Sequence, residues 1–157
     1  MIQRIQSILL LLASGAMGAL FTPFMSFAKM IRGQSDAPEL SDGQFTVTDN
    51  TVLIAITVIA TIGFLIALFL FRNRKLQVNI AQFCALLSVC LLGYAYFLFS
   101  KIAPSIKSVN IDATTSGINI GYGVGIAAPI LAIILSTIAI RLIRKDENLV
   151  RSADRLR

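Results

Sequence analysis

The feature that most constrains the fold of this chain is the separation of its charged residues from four long apolar runs. The 157 residues include 14 Lys and Arg and 8 Asp and Glu, and of these only Arg141, near the end of the fourth run, lies inside a run. An ionised side chain at the centre of a bilayer costs roughly 2.5 kcal/mol or more, so a membrane protein needs this arrangement. The sequence therefore predicts an all-α membrane protein, one membrane domain over residues 1–157, with a bundle of four transmembrane helices at about 7–28, 52–71, 78–99 and 124–143.

The first run could be either a retained helix or a signal peptide. Ser7 to Ala28 is 22 uncharged residues long, enough to reach about 33 Å as a helix. Ala16-Met17-Gly18 could serve as a signal-peptide cleavage site. The apolar character continues beyond that point through Phe27, which favours a retained transmembrane helix.

The remaining runs predict how the helices connect. The second and third are joined by a short polar connection, 72–77, so we expect an antiparallel helical hairpin in the membrane. The fourth run continues directly into a charged tail, 144–157. Pro129 lies inside the fourth run and should kink that helix, because proline cannot donate the backbone hydrogen bond to the Gly125 carbonyl.

The distribution of basic residues predicts the orientation in the membrane. Ten Lys and Arg lie at the N-terminus, in the 72–77 turn and in the tail with Arg141, whereas four lie on the other side. Cytoplasmic loops carry the excess of Lys and Arg, so both termini and the short turn should be cytoplasmic. Lys29 and Arg32, directly after the first run, oppose this trend and are outnumbered.

The two segments predicted on the outer side, 30–51 and 101–120, contain β-type alternation. Lys107 to Ile111 and Ile118 to Ile120 alternate around a turn-like Ala113–Gly117 and predict a hairpin. A lone hairpin is marginally stable in water, so a third strand from Phe45 to Val47 would stabilise it. We therefore expect a small extracytoplasmic β-hairpin or short sheet.

The basic residues at the predicted cytoplasmic end are the main candidates for contacts with a ligand or partner. Arg72, Arg74 and Lys75 could bind lipid headgroups or simply set the topology. The tail has helical periodicity, with Leu149, Val150, Ala153 and Leu156 on one face. It predicts an amphipathic cytoplasmic helix that either docks a protein partner or lies on anionic headgroups, and its basic residues are Arg144, Lys145, Arg151 and Arg155 together with the terminal Arg157.

The residues within the predicted spans offer little chemistry. The chain has no histidine, and its two cysteines, Cys84 and Cys90, are spaced for opposite sides of a helix, which favours packing over a redox pair. Gln82 is the most polar side chain in a span and could line a solute path or bond to a neighbouring helix. We expect no catalytic residue, no bound metal and no cofactor.

Two terminal motifs resemble one family. They are Met1-Ile2-Gln3-Arg4-Ile5-Gln6-Ser7, and the segment from Arg144-Lys145-Asp146-Glu147 through Leu149 to Arg157. With the pattern of the whole chain, they are similar to domain-of-unknown-function family 4293, small four-span membrane proteins of Bacteroidota. The resemblance implies a bacterial inner-membrane location and the same four-span plan, and it implies no activity.

These observations lead to an expected role without catalysis. The chain should be a non-enzymatic accessory or scaffold protein of the bacterial inner membrane. Its partners would be the lipid bilayer and either a protein bound through the tail or further copies of itself. A component of a channel or transporter is the alternative, and a membrane thiol redox enzyme is a weaker one. Nucleic acid is not expected as a partner, because the basic residues flank apolar runs and form no soluble basic face.

Overall fold

A computed structural model of the protein describes residues 2–30, 44–71, 73–108 and 120–154, and the side chains of 5–29, 44–71, 73–101 and 123–149. Within these ranges the chain is mostly helical and contains the four helices expected from the sequence, together with a small sheet. The helices are α1 (Ile2–Ala19), α2 (Thr51–Phe69), α3 (Arg74–Ser108) and α4 (Ala127–Asp154). The strands are β1 (Ala28–Met30), β2 (Gln44–Phe45) and β3 (Ile120–Tyr122).

Helix α1 is shorter than the predicted span, which placed helix as far as residue 28. It ends at Ala19, and a turn follows in which the Thr22 backbone N–H and hydroxyl both donate to the Ala19 carbonyl, at 2.9 and 2.6 Å. The cause is Pro23, since a residue that precedes proline is disfavoured in helical conformation. The rest of the apolar run forms a loop and then β1, so the predicted helical boundary there is wrong.

Helix α2 has a clear start and a short exit. The Asn50 side chain accepts a hydrogen bond from the Val52 N–H at 2.9 Å, which caps the first turn of the helix. The helix ends at Phe69, and a turn closed by the Asn73 N–H on the Leu70 carbonyl leads into α3. The two helices contact each other directly, as the tight hairpin predicted from the sequence requires.

Helix α3 is longer than its predicted span. It continues to Ser108, so Lys107 and Ser108, expected to begin a strand, are helical. The remainder of the predicted hairpin as far as 119 lies outside the described residues.

Helix α4 carries Pro129 without the expected mid-helix kink. A 3-10 turn, Val124–Ile126, precedes the α-helix, which begins only at Ala127. Pro129 is therefore in the first turn, where backbone N–H groups have no helical partner to lose. The helix then continues without a break to Asp154, so the predicted tail is helical over its described part. Residues 155–157 lie outside the described residues.

The three strands form a sheet in which β1 is central. Ala28 of β1 is opposite Phe45 of β2 on one side and opposite Tyr122 of β3 on the other, and both pairings are antiparallel. A small sheet is thus present among the described residues, with Phe45 and Ile120 in strands as expected. Its central strand begins at Ala28, the last residue that had been assigned to the first helix.

The four helices pack around a shared core that combines alanine with larger apolar side chains such as Leu10, Phe64 and Leu91. Helix α1 contacts α2 and α4, and α3 contacts the same two helices. The sheet lies where α1 and α3 end and where α2 and α4 begin. By length and composition, Thr51–Phe69, Arg74–Lys101 and Val124–Leu149 could cross a membrane, whereas the apolar helix Ile5–Ala19 is shorter.

Candidate functional site

The end of the molecule opposite the sheet brings two predicted basic segments together. Arg74, at the start of α3, forms an ion pair with Asp146 of α4, and their nitrogen and oxygen atoms are 2.8 Å apart. Both side chains are partly buried, with 29% and 20% of their surface exposed. The 72–77 turn and the beginning of the tail therefore lie at the same end, as the predicted orientation requires.

The other basic side chains at this end point outward. Lys75, Arg141, Arg144 and Lys145 are exposed, and none of them has an acidic partner among the described side chains. Arg141, Arg144 and Lys145 are three and four positions apart, so they share one face of α4. We call these three residues the basic face.

Three of the predicted basic candidates cannot be placed in this way. Arg72 and Arg155 lie outside the described residues, and Arg151 is on α4 with its side chain outside them.

A second surface feature runs around all four helices. Large apolar side chains that are roughly 40–70% exposed occupy the outward faces of the helices, and we call this surface the apolar belt. Its members include Ile5, Ile8, Leu11 and Leu12 of α1, Ile59, Ile62, Ile66 and Phe69 of α2, Phe83, Leu86, Val89 and Phe97 of α3, and Ile130, Leu131, Ile134 and Ile138 of α4.

The side chain of Gln82, the predicted polar candidate, lies on the outer surface of the molecule. It is exposed on α3 next to Phe83, whereas the α3 residues that face the core are Ala81, Cys84, Ser88 and others one turn apart. Its position does not support the interpretation that it lines a path between the helices.

Two buried hydroxyl groups donate hydrogen bonds within their own helices. Thr57 donates to the Leu53 carbonyl at 2.8 Å, and Ser88 donates to the Cys84 carbonyl at 3.0 Å. Gln6 is different, because it is 95% buried and its Nε2 has no hydrogen-bond partner among the described residues. Because their hydroxyl groups bond within the helix, Thr57 and Ser88 contribute to packing and do not line a polar passage between the helices.

The two cysteines have separate environments. Cys84 is buried between α3 and α2, where its Sγ leaves no room for a side chain at Gly63. Cys90 is exposed on the outward face of α3. This arrangement supports the interpretation of Cys84 as a packing residue.

Backbone hydrogen bonds from two glycines hold the sheet end of the molecule together. The Gly125 N–H donates to the Ser26 carbonyl and the Gly123 N–H donates to the Phe27 carbonyl, both at 2.9 Å, while the Phe27 N–H donates to Phe45 at 2.7 Å. The loop before β1 is thereby held between β2 and the entry to α4. The glycine-containing segment Gly123–Gly125 thus forms a tight entry turn to α4.

An apolar cleft of about 150 Å³ opens beside this glycine-rich contact, between the sheet and α3. Phe27, Ala28 and Phe45 form the sheet side, with the two phenylalanine rings 6.0 Å apart, and Ala95 and Phe99 are on the α3 side. The cleft is smaller than typical ligand pockets of about 300 Å³ or more. Among the described residues, no group of three or more His, Cys, Asp or Glu could hold a metal ion.

Sequence reasoning identified the basic residues but missed the Arg74–Asp146 contact. The signal available was that both lie at the predicted cytoplasmic end. Asp146, Glu147 and Asp154 were equally available acids, and the sequence holds nothing that chooses among them.

Comparison with known proteins identifies a family. No curated protein and no solved structure matches the chain. The family described as "Domain of unknown function (DUF4293)" matches residues 2–156, nearly the whole chain. The resemblance seen in the terminal motifs is therefore confirmed, and the chain belongs to this family of unknown function.

Proposed function

We propose that the protein is a multi-pass protein of the bacterial inner membrane, a transmembrane four-helix bundle whose termini are both cytoplasmic. The apolar belt is the observation that carries this proposal. In water, exposed apolar side chains on every helix would drive aggregation, whereas hydrocarbon solvates them without cost. The basic residues at the end opposite the sheet mark the cytoplasmic boundary.

Helix α1 can take part as the fourth span despite its length. Its apolar part, Ile5–Ala19, extends about 22 Å at 1.5 Å per residue, which is shorter than the hydrocarbon thickness of about 30 Å. Phe21 and Phe24 continue the apolar surface beyond the helix and are exposed. The turn at Thr22 and Pro23 would then lie near the outer interface, where its backbone groups can reach water.

The proposed orientation makes a direct prediction for reporter fusions. Alkaline phosphatase inserted in segment 31–43 should be active, because this enzyme folds only outside the cytoplasm. A green fluorescent protein fused after residue 157 should be fluorescent, and the same phosphatase there should be inactive. Recovery of the protein in the soluble fraction, or the reverse pattern of reporter activity, would contradict the proposal.

Within the membrane, we propose a non-enzymatic accessory or scaffold role. The core is filled by residues such as Leu10, Met17, Phe64 and Leu91, each essentially fully buried, which does not favour a conduction pathway. The surfaces available for a partner are the sheet end and α4 beyond the membrane, where Leu149 is half exposed. A partner bound at the tail would fit the helical extension of α4.

A crosslinking experiment tests the scaffold role. Full-length protein and a variant ending at residue 147 would be expressed at matched levels and crosslinked in intact cells. Truncation there keeps Arg74–Asp146 and removes the distal tail. We expect at least one crosslinked partner to disappear on truncation, while a matched variant with Leu149→Ser should weaken the same product. An identical set of products from all three proteins would contradict a role for the tail.

A further inference from the structure

Among the described residues, no acidic side chain forms an ion pair with the basic face of α4. Arg141, Arg144 and Lys145 are exposed and lack acidic partners among the described side chains. Like charges three and four residues apart on a helix repel each other and weaken it. The nearby Asp146 is engaged by Arg74 of α3, 2.8 Å away, and does not offset them.

The ion pair also determines where the basic face points. At about 100° per residue, the centre of Arg141, Arg144 and Lys145 lies about 140° around α4 from Asp146. Since Asp146 faces α3 and Ile140 and Ile143 are buried, the three basic side chains point away from the other helices. They follow directly after the exposed apolar residues Ile134 and Ile138 on the same helix.

We propose that the basic face binds the phosphate of an anionic phospholipid in the cytoplasmic leaflet. This inference rests on the proposed membrane location and adds a ligand class to it. Two guanidinium groups and one ammonium group match a phosphodiester, for which Arg offers paired donors. The acyl chains of the same lipid would lie along the apolar belt of α4, so the two surfaces fit one amphipathic ligand.

Lipid titration with a matched charge control tests the proposal. Full-length protein in a non-ionic detergent would be titrated with phosphatidylglycerol or phosphatidylcholine of identical acyl chains, and bound lipid counted by native mass spectrometry. One variant, Arg144→Gln with Lys145→Gln, removes two charges from the basic face. The control, Lys29→Gln with Lys101→Gln, removes two exposed charges from the sheet end.

We expect wild type to prefer phosphatidylglycerol, and the Arg144→Gln, Lys145→Gln variant to bind it roughly 10- to 30-fold more weakly. The control should retain the wild-type preference. Equal binding of the two lipids to wild type, or equal loss in both variants, would overturn the proposal. Displacement of the lipid by millimolar inorganic phosphate would also overturn it, by showing a site for free anions.

The readout separates this proposal from the proposed orientation. Lipid binding in detergent does not depend on which side of a membrane the tail occupies. The activity of the reporter fusions depends only on that side. Unchanged circular dichroism of both variants would show that the substitutions at exposed positions leave the fold intact. A failure of lipid binding with correct reporter patterns therefore rejects the lipid site alone.

Discussion

Replacing Gly123 with alanine should destabilise the protein by about 3 kcal/mol, the largest effect expected for a single methyl group at the described glycines. A Cβ at this position would collide with the carbonyl group of Ser26 and would lie 2.8 Å from the Ser26 Oγ. The obstacle is backbone, which is itself held by hydrogen bonds to Gly125 and to the sheet, so it cannot move aside locally. Thermal unfolding followed by circular dichroism in detergent should show a midpoint lower by roughly 6–12 °C.

Gly93→Ala is the matched control for this experiment. Gly93 lies on the exposed side of α3, and a Cβ there would meet no atom within 4 Å. Alanine favours a helix over glycine, so this variant should be unchanged or more stable by up to about 1 kcal/mol. Equal melting temperatures for Gly123→Ala and Gly93→Ala would show that the loop before β1 does not lie against α4 as described.

Gly63→Ala should produce the second large loss, at the contact between α2 and α3. The new methyl group would overlap the Sγ of Cys84, which is buried and has little room to rotate. Overpacking of this kind costs about 1–3 kcal/mol. The same thermal measurement should therefore show a clear decrease in the midpoint relative to wild type.

A double variant identifies the cause of that loss. Cys84→Ala removes the obstructing sulfur, so Gly63→Ala should cost much less in a Cys84→Ala background than in wild type. The coupling between the two positions should reach about 1 kcal/mol or more, as expected for residues in direct contact. Additive effects would contradict the close approach of the two helices. Gly18→Ala provides a control on α1. A Cβ at Gly18 would lie 3.8 Å from Thr61 Cγ2, an ordinary van der Waals distance.

The apolar runs predicted most of the helices because their signal is long and redundant. For α2, some twenty consecutive apolar residues between Asn50 and Arg72 leave no other structure available. For the first run, the predicted end of the helix was wrong, because Thr22 and Pro23 interrupt the helix without changing the hydropathy of the run. Hydropathy averages over a window, whereas the end of a helix depends on one local dihedral preference.

The sheet and the basic end show where sequence patterns stop being informative. Strands of two or three residues, such as β2, are too short for alternation to distinguish them from loop. Strand β1 begins at Ala28, which is buried and ends the first apolar run, so hydropathy did not separate the strand from the helix before it. At the basic end, residue types were predictable but the Arg74–Asp146 pairing was not, because it depends on how α3 and α4 pack.

The central position of β1 has a consequence for how the chain is made. Its partner β3 lies about 90 residues later, and at roughly 5–20 residues per second the ribosome needs about 5–20 s to reach it. During that interval the carbonyl groups of Ser26 and Phe27 lack the Gly125 and Gly123 amides that they bind in the finished protein. The sheet can therefore close only after α1, α2 and α3 have been synthesised, and its closure fixes the entry to α4 against the end of α1.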